Sequence, residues 1–342
     1  SEADHVLSTR VRLARNLSAT PFSYRAREDH LHLVLSRVTT AARHTALLAD
    51  GLSLKVSDLG ALDRQFLLER HLISRELSEA TRIRGVVISR DESVSVMVNE
   101  EDHIRIQSLV AGFELEKAWQ LADALDDQLD GGREYAFSDE LGYLTSCPTN
   151  VGTGLRVSVL VHLPALVLTK QITRILPALA QMSLAVRGFY GEGSEVMGNF
   201  FQVSNQTTLG KTERDSIESL GRATRQLLDH EARARDVLMR DARGVLEDKM
   251  WRAYGALCYA RQMRSEELIG LLSFVRFGRA VGVSGLPDVR TLNEVLLAAQ
   301  PAHVQKRAGR DMEQAERDIE RAAFVRARMG RASGDHTAAS DT

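Results

Sequence analysis

Asn99-Glu100-Glu101-Asp102-His103 places three acids and a histidine directly after the apolar run 94–98. Like charges this close repel one another, so the segment needs something positive facing it. A solvated turn meets that need with water and salt; a site meets it with a cation. Three further segments carry groups suited to a site. In 145–156, Cys147 precedes Pro148, Gly152 and Gly154 permit close backbone approach, and Arg156 opens the next extended run. A lone cysteine is commonly a small buried hydrophobe, whereas one in a polar, glycine-rich loop is a candidate thiolate. In 187–195, Gly191 and Gly193 flank Glu192, the pattern of a loop that carries one carboxylate into a site. In 7–16, an extended backbone points Arg10 and Arg12 to the same side. Two guanidinium forks on one face suit polyphosphate.

The elements that must hold these groups are legible in outline. Residues 85–89 and 94–98 are β-branched runs separated by Arg90-Asp91-Glu92-Ser93, a hairpin pattern. Further strands are expected at 155–163, ended by Pro164, and at 200–205. Between them, Ile104 to Leu129 shows apolar residues at helical spacing and predicts a helix stopped by Gly131-Gly132. Hairpin strands with helices elsewhere predict an α+β domain, an antiparallel β-sheet flanked by helices, over residues 1–212. From 213 to 331 the 3.6-residue period is nearly continuous, broken at Gly285-Leu286-Pro287, and predicts an all-helical C-terminal domain. Residues 332–342 are small and polar and are expected to form a flexible tail.

Composition narrows the function classes. The 342 residues are 44% hydrophobic and 26% charged, which suffices for a proper core. A net charge of -2 with 5% aromatics argues against nucleic acid as a direct partner. The two cysteines, Cys147 and Cys258, form neither a disulfide scaffold nor a metal-ligand spacing. No run is long and apolar enough for a bilayer, and the first residues lack a signal-peptide pattern. A cytoplasmic setting without a membrane partner is the expectation.

Taken together, STRVRLARN (8–16), NEEDHIRI (99–106), SCPTNVGTGLR (146–156), RGFYGE (187–192) and SNQTTLG (204–210) resemble the phosphagen, or guanidino, kinases. Within them the likeness is greatest to the bacterial protein-arginine kinases. The resemblance is collinear from residue 5 to about 212. It implies that Arg10, Arg12, Arg105, Arg156 and Arg187 cage the phosphates of ATP. Ser8, Thr9 and Val11, then Val157, Ser158, Val159 and Leu160, then Gly188, Phe189, Tyr190, Gly191 and Glu192 would line the nucleotide. His71, which spacing alone would place on a helix surface, would contact it too. Glu101 and Glu192 would grip the substrate guanidinium, Glu100 would reach Mg2+ through water, and Cys147 would lie beside the accepting nitrogen. Such residue types suit the reaction. A guanidinium stays protonated to a pH above about 12, so its nitrogen needs carboxylates to orient it and accept its proton. Arginines and magnesium meet the charge that spreads over the transferring phosphoryl group.

Two departures bear on the substrate. The small-molecule enzymes carry a helical domain ahead of the motif that here begins at Ser8, and its absence would leave the acceptor side open to an arginine on a protein surface. They also carry a histidine where Leu160 stands, while His162 follows two residues later. In the helical region, Arg317-Asp318-Ile319-Glu320-Arg321-Ala322 resembles the phosphoarginine-binding motif of protein-arginine kinases, and Gln300-Pro301-Ala302-His303 is similar to that family as well. The resemblance further implies a homodimer, autophosphorylation and a role in stress-response degradation. Its partners would be a Clp unfoldase and protease, a zinc-containing activator and a heat-shock repressor. The competing readings are a kinase of free arginine or another small guanidino compound, and an inactive phosphoarginine-binding adaptor.

Overall fold

The computed structural model describes residues 5–79, 81–131, 135–188 and 197–334. Among the described residues, ten strands and twelve α-helices follow one another. They run β1 (Val6–Arg15), α1 (Glu28–Arg43), β2 (Leu52–Lys55), α2 (Ala61–Glu69), α3 (Arg75–Ser78), β3 (Gly85–Ile88), β4 (Val94–Val98), β5 (Ile104–Ala111), α4 (Leu115–Asp130), β6 (Phe137–Ser138) and β7 (Gly142–Tyr143). The chain continues through β8 (Leu155–His162), α5 (Pro164–Leu168), α6 (Ile172–Gln181), β9 (Leu184–Arg187) and β10 (Phe200–Asn205). It ends in α7 (Glu213–Asp241), α8 (Arg243–Tyr259), α9 (Ser265–Ala280), α10 (Val289–Ala298), α11 (Pro301–Ala308) and α12 (Gln314–Gly334). Eight strands form one sheet in the order β2-β3-β4-β5-β1-β8-β10-β9, and every pair in it is antiparallel. The predicted antiparallel α+β class is therefore the observed one, and β3 and β4 are the predicted hairpin.

The sheet separates chemistry from core by strand alternation. On β1, Val11 and Leu13 point backward into the apolar core, while Arg10 and Arg12 point forward. Register repeats the division across the sheet. Arg12 lies opposite Arg156 on one side and Gln107 on the other, and Arg105 lies opposite Ala14. The backward residues Ile104, Ile106, Val157, Val159 and Val203 are fully buried. Helices α1, α4 and α7 cover that face with Val34, Val38, Ala118, Leu125, Ile217, Leu220 and Leu227. Helix α7 is started by Thr212, which accepts from the Asp215 amide while the Asp215 carboxylate accepts from the Thr212 amide. The sequence pattern turns helical at residue 213, yet α7 and the first half of α8 share the sheet's own core, and the helical cluster begins at Ala253 within α8.

Among the described residues, the forward face is covered at its two ends. Leu67, Leu72, Ile73 and Leu77 pack on Val86, Ile88 and Met97 at the β3–β4 end. Helices α8, α9, α10 and α12 bury Phe200 of β10 and take Leu7 and Leu160 against their cluster at the other. The open middle is the cleft.

One element differs from the sequence expectation. The helical spacing from Ile104 to Leu129 splits: Ile104–Ala111 is a strand at the sheet's centre, and the helix begins only at Leu115. Pairing with β4 and β1 supplies a hydrogen-bond ladder on both sides of β5, which no local pattern discloses. Gly112, at φ 82°, then turns the chain into α4, whose stop at Gly131 in the left-handed region falls as predicted.

The segment carrying Cys147 returns to β8 through Gly152, at φ 110°, where an added Cβ would run into the Thr208 carbonyl. Gly152→Ala is expected to lower stability by about 1–3 kcal/mol, the scale of a strained backbone site. The fall is to be read as a lower denaturation midpoint with an unchanged denaturant dependence.

Candidate active site

The cleft encloses about 980 Å³. Arg10 and Arg12 reach it from β1, Arg105 from β5, Arg156 from β8 and Arg187 from β9. Five strand residues far apart in sequence thus converge because alternate positions of neighbouring antiparallel strands share a face. Burial and mutual repulsion both act on them. Burial, then Arg105 and Arg156, lowers the Arg10 guanidinium to about 10. Burial, then Arg10, Arg105 and Arg156, lowers Arg12 well below the usual range, although Glu100 opposes the shift. The Arg12 Nε is buried without a hydrogen-bond partner. Such a wall is under charge strain that a polyanion relieves.

His71 stands at the end of α2 with φ 58°. It is a cleft residue, not a helix-surface one: it lines a niche with Ser8, Arg10, Ser158, Leu160 and Gln202. Burial, then Arg10, lowers its imidazole to about 4, so it is neutral at physiological pH and suited to a neutral ring partner. Its carbonyl accepts from Gln107 Nε2 at 2.7 Å.

The acidic segment is the turn joining β4 to β5. Asn99 adopts φ 57°, its amide donates to the His103 carbonyl, and its Nδ2 donates to the Leu31 carbonyl at 2.9 Å. Asp102 Oδ1 accepts from Asn16 Nδ2 and from the Ser146 amide, both at 2.6 Å. His103 Nδ1 accepts from the Leu17 amide at 3.1 Å, so its Nε2 donates to the Pro21 carbonyl at 2.9 Å. Asp102 and His103 are consequently buried braces, which leaves Glu100 and Glu101 to face the cleft.

The two glutamates sit in different electrostatic settings. The Glu100 carboxylate is fully buried and paired with Arg105. Burial pushes its carboxyl up, but Arg105, Ser74 and Arg12 together outweigh this and the net value lies below the ordinary one. Arg105 is correspondingly held above its usual range: burial lowers it, and Glu100 with Glu101 and Asp102 more than restores it. Glu100 Oε1 is buried with no hydrogen-bond partner, which suits a hydrated cation beside it. Glu101 is instead raised, first by burial, then by Asp102, with Arg105 and a hydrogen bond from Cys147 opposing. The Cys147 thiol thus lies against Glu101 and also 3.0 Å from Thr149 Oγ1. Because Asp102 ties Ser146 to the acidic turn, the thiol and the carboxylate are held together by one brace.

Not every expected residue faces the cleft. Thr9, Val11, Val157 and Val159 point to the sheet's other side; Thr9 Oγ1 donates to the Gly112 carbonyl at 2.7 Å. These residues offer the cleft backbone alone. Gly188 is buried at the end of β9. Phe189, Tyr190, Gly191 and Glu192 lie outside the described residues. Arg317 to Ala322 occupy α12 and do not line the cleft. Arg321 is enclosed, donating to the carbonyls of Ala299 and Met263, both at 2.8 Å, and to Asp318 Oδ1 at 2.5 Å. Asp318 therefore pairs with an arginine of its own helix, and Arg317 donates to the Met312 carbonyl at 2.7 Å. Ile319 and Glu320 are exposed and Ala322 is buried.

Other lining residues have no signal in the sequence reading. Ser74, Arg82, Arg84 and Gln206 come from loops with no periodicity. Gln202 was detectable in principle, since alternation on β10 puts it on the side of Ser204. Among the described residues no group of three or more His, Cys, Asp or Glu side chains is arranged to hold a metal, and no helix is long and apolar enough to cross a membrane.

Residues 34–234 match the family model for the ATP:guanido phosphotransferase C-terminal catalytic domain. The chain belongs to the ATP:guanido phosphotransferase family. Residues 243–340 match the model of the protein-arginine kinase McsB C-terminal domain, so the two matches meet at the end of α7. The chain is 48% identical over 330 residues to the protein-arginine kinase of Symbiobacterium thermophilum, covering 96% of this chain and 94% of the relative. It is 47% identical over 328 residues to the protein-arginine kinase of Moorella thermoacetica, covering 95% and 94%. Among solved structures, a lombricine kinase superposes with a TM-score of 0.60 at 25% identity, covering 68% of this chain and 67% of the other. The duplicated taurocyamine kinase of Schistosoma mansoni, solved with transition-state-analogue components, gives a TM-score of 0.60 at 28% identity and covers 68% and 33%. The family uses ATP, and the arginine-walled cleft of this member is a fitting place for its phosphates.

The raised Glu101 carboxyl has a signed consequence. A folded-state value above the unfolded one means that the ionised side chain opposes folding at neutral pH and ceases to do so below the unfolded value. Glu101→Gln is expected to raise the melting temperature at pH 7–8, and the gain should vanish near pH 4. Calorimetric melts across that range provide the check.

Proposed function

We propose that this chain transfers the γ-phosphoryl group of ATP to the guanidinium of arginine residues in proteins, with Glu101 and Cys147 on the acceptor side and the arginine wall on the donor side. The observation that carries the reading is the junction of opposites in one cleft. A carboxylate and a thiol in mutual contact face buried guanidinium groups that repel one another. Relatives nearly half identical over almost the whole chain are protein-arginine kinases.

The chemistry follows from that arrangement. Arg10, Arg12, Arg105, Arg156 and Arg187 hold the triphosphate and neutralise charge as the γ-phosphoryl group loosens from its leaving oxygen. Glu100, whose Oε1 is buried without a hydrogen-bond partner, would hold Mg2+ through water beside the phosphates. When bound, the ion supplies further charge neutralisation to the phosphates. The acceptor guanidinium lies against Glu101, which orients it and accepts its proton as the N–P bond forms and the P–O bond to ADP breaks. Burial brings the Glu101 carboxyl closer to working pH, which makes it a better base. Cys147, against Glu101, would lie beside the same cation, and Glu192 would be the second carboxylate. His71, Ser8 and Leu160 shape the niche for the neutral part of the nucleotide.

Phosphoarginine recognition at Arg317–Ala322, the homodimer, the stress-response partners and a cytoplasmic setting belong to the same proposal. Their support is the resemblance of that segment and the match of 243–340.

The deciding experiment is mass spectrometry of an arginine-rich protein after incubation with ATP and magnesium, handled without acid because the P–N bond is acid-labile. Phosphoarginine on the protein, with little on free arginine, is the expected result; the reverse preference would favour a small-molecule kinase. Glu101→Gln should cut transfer by about 10²–10⁴-fold while ATP binding stays within about twofold. Near-normal turnover in that variant would remove Glu101 as the base.

A further inference from the structure

The geometry points to Glu69 as a positioning residue through which helix α11 of the C-terminal region sets the nucleotide histidine, His71. This inference rests on the nucleotide reading of the cleft.

Glu69 is a buried acid in the last turn of α2; besides Gln65 of its own helix, at 3.3 Å, its partners lie more than 230 positions away in sequence. The Ala302 amide donates to both carboxylate oxygens, at 2.9 and 3.1 Å. The His303 amide donates to Oε2 at 3.2 Å, and the His303 ring donates through Nδ1 to the same oxygen at 2.8 Å. The carboxylate thereby occupies the N-terminus of α11, where backbone donors are otherwise unsatisfied. Around it, Phe66 packs on the His303 ring with centroids 4.4 Å apart, and Lys306 pairs with Asp63. The carbonyl of Ala299, just before α11, is held from the far side by Arg321 at 2.8 Å.

Two residues beyond Glu69 the chain reaches His71 in the left-handed region. A non-glycine residue keeps that conformation only when its surroundings enforce it. Three anchors do so. The His71 amide donates to the Leu68 carbonyl at 2.9 Å, and the Leu72 amide to the Leu67 carbonyl at 3.0 Å, both on α2. Gln107 of β5 fixes the His71 carbonyl from the sheet. Two of the three therefore move with α2, and α2 is bolted to α11 by Glu69. The ring of His71 shares its niche with Arg10 and Ser8, so a shift of α2 displaces it from the phosphate wall. Without the α11 contact, the cleft keeps its arginines but loses a fixed partner for the nucleotide.

The test uses the full chain and measures affinity for a non-hydrolysable ATP analogue with magnesium by calorimetry, beside steady-state kinetics on an arginine-rich protein. Glu69→Gln and His303→Ala are each expected to weaken the analogue about tenfold and to raise KM for ATP equally. Phosphoryl transfer at saturating ATP and KM for the protein substrate should stay within about twofold. Because Glu69 acts through His71, adding Glu69→Gln to His71→Ala should cost no further affinity. A purely structural role would lower the melting temperature and the active fraction while leaving ATP affinity of the folded fraction intact, which would overturn the inference. Unchanged affinity in both single variants, or additive losses in the double variant, would overturn it as well. Binding is read without turnover, so an arginine acceptor that proves wrong leaves this test valid, whereas a wild-type chain that fails to bind the analogue ends both readings.

Discussion

Repulsion among buried guanidinium groups is the constraint around which the molecule is organised. Arg10, Arg12, Arg105 and Arg156 stand side by side on adjacent strands, and burial together with their neighbours lowers Arg10 and Arg12 from the usual arginine range. Loops would splay such a cluster apart; a central sheet cannot yield, because each strand is hydrogen-bonded on both sides and buried behind. The energy needed to hold like charges together comes from the apolar back face, where Val11, Leu13, Ile106, Val157 and Val159 are inaccessible to solvent. Binding a polyphosphate then relieves a strain already present in the folded protein, the sense in which such a site is preorganised.

The carboxylates answer that field in two ways. Glu100 lies close enough to Arg105 to be held ionised despite complete burial. Glu101, one residue on, is turned toward Cys147 and feels its acidic neighbours more than the arginines. Adjacent residues of one type thus acquire different proton affinities from position alone, the separation that acid–base chemistry exploits. The turn that distinguishes them is a braced element: Asn16, Asp102, His103 and the backbone of Ser146 and Leu144 form one hydrogen-bonded unit joining three segments.

The helical region is not a detached appendage to this site. Its core takes in Phe200 from the sheet and packs against Leu7 and Leu160, residues next to the cleft niche. Helix α11 reaches further, to α2 on the opposite side of the opening. Among the described residues the cleft is lined from the sheet region alone, and the helical region bears on it through these packed elements.

Residue types and their alternation determined much of this in advance. Arg10 and Arg12 had to share a face once their segment was extended, the β-branched runs at 85–88 and 94–98 had to pair across a short turn, and the acid triplet had to find positive charge. The antiparallel class and the helical character of the second half were equally readable, because periods of 2 and 3.6 are local properties. What lay beyond reach depended on pairing between distant segments. Ile104–Ala111 became a strand only because β1 and β4 stand on either side, and His71 became a cleft residue only because α2 ends in a left-handed turn beside β5. Likewise, only packing made Asp102 a brace, Glu101 a candidate base and Arg321 an enclosed tie between helices. Sequence specifies which charges a chain carries; burial and long-range contact decide what each is worth, since a charge takes its energy from surroundings that no local window contains.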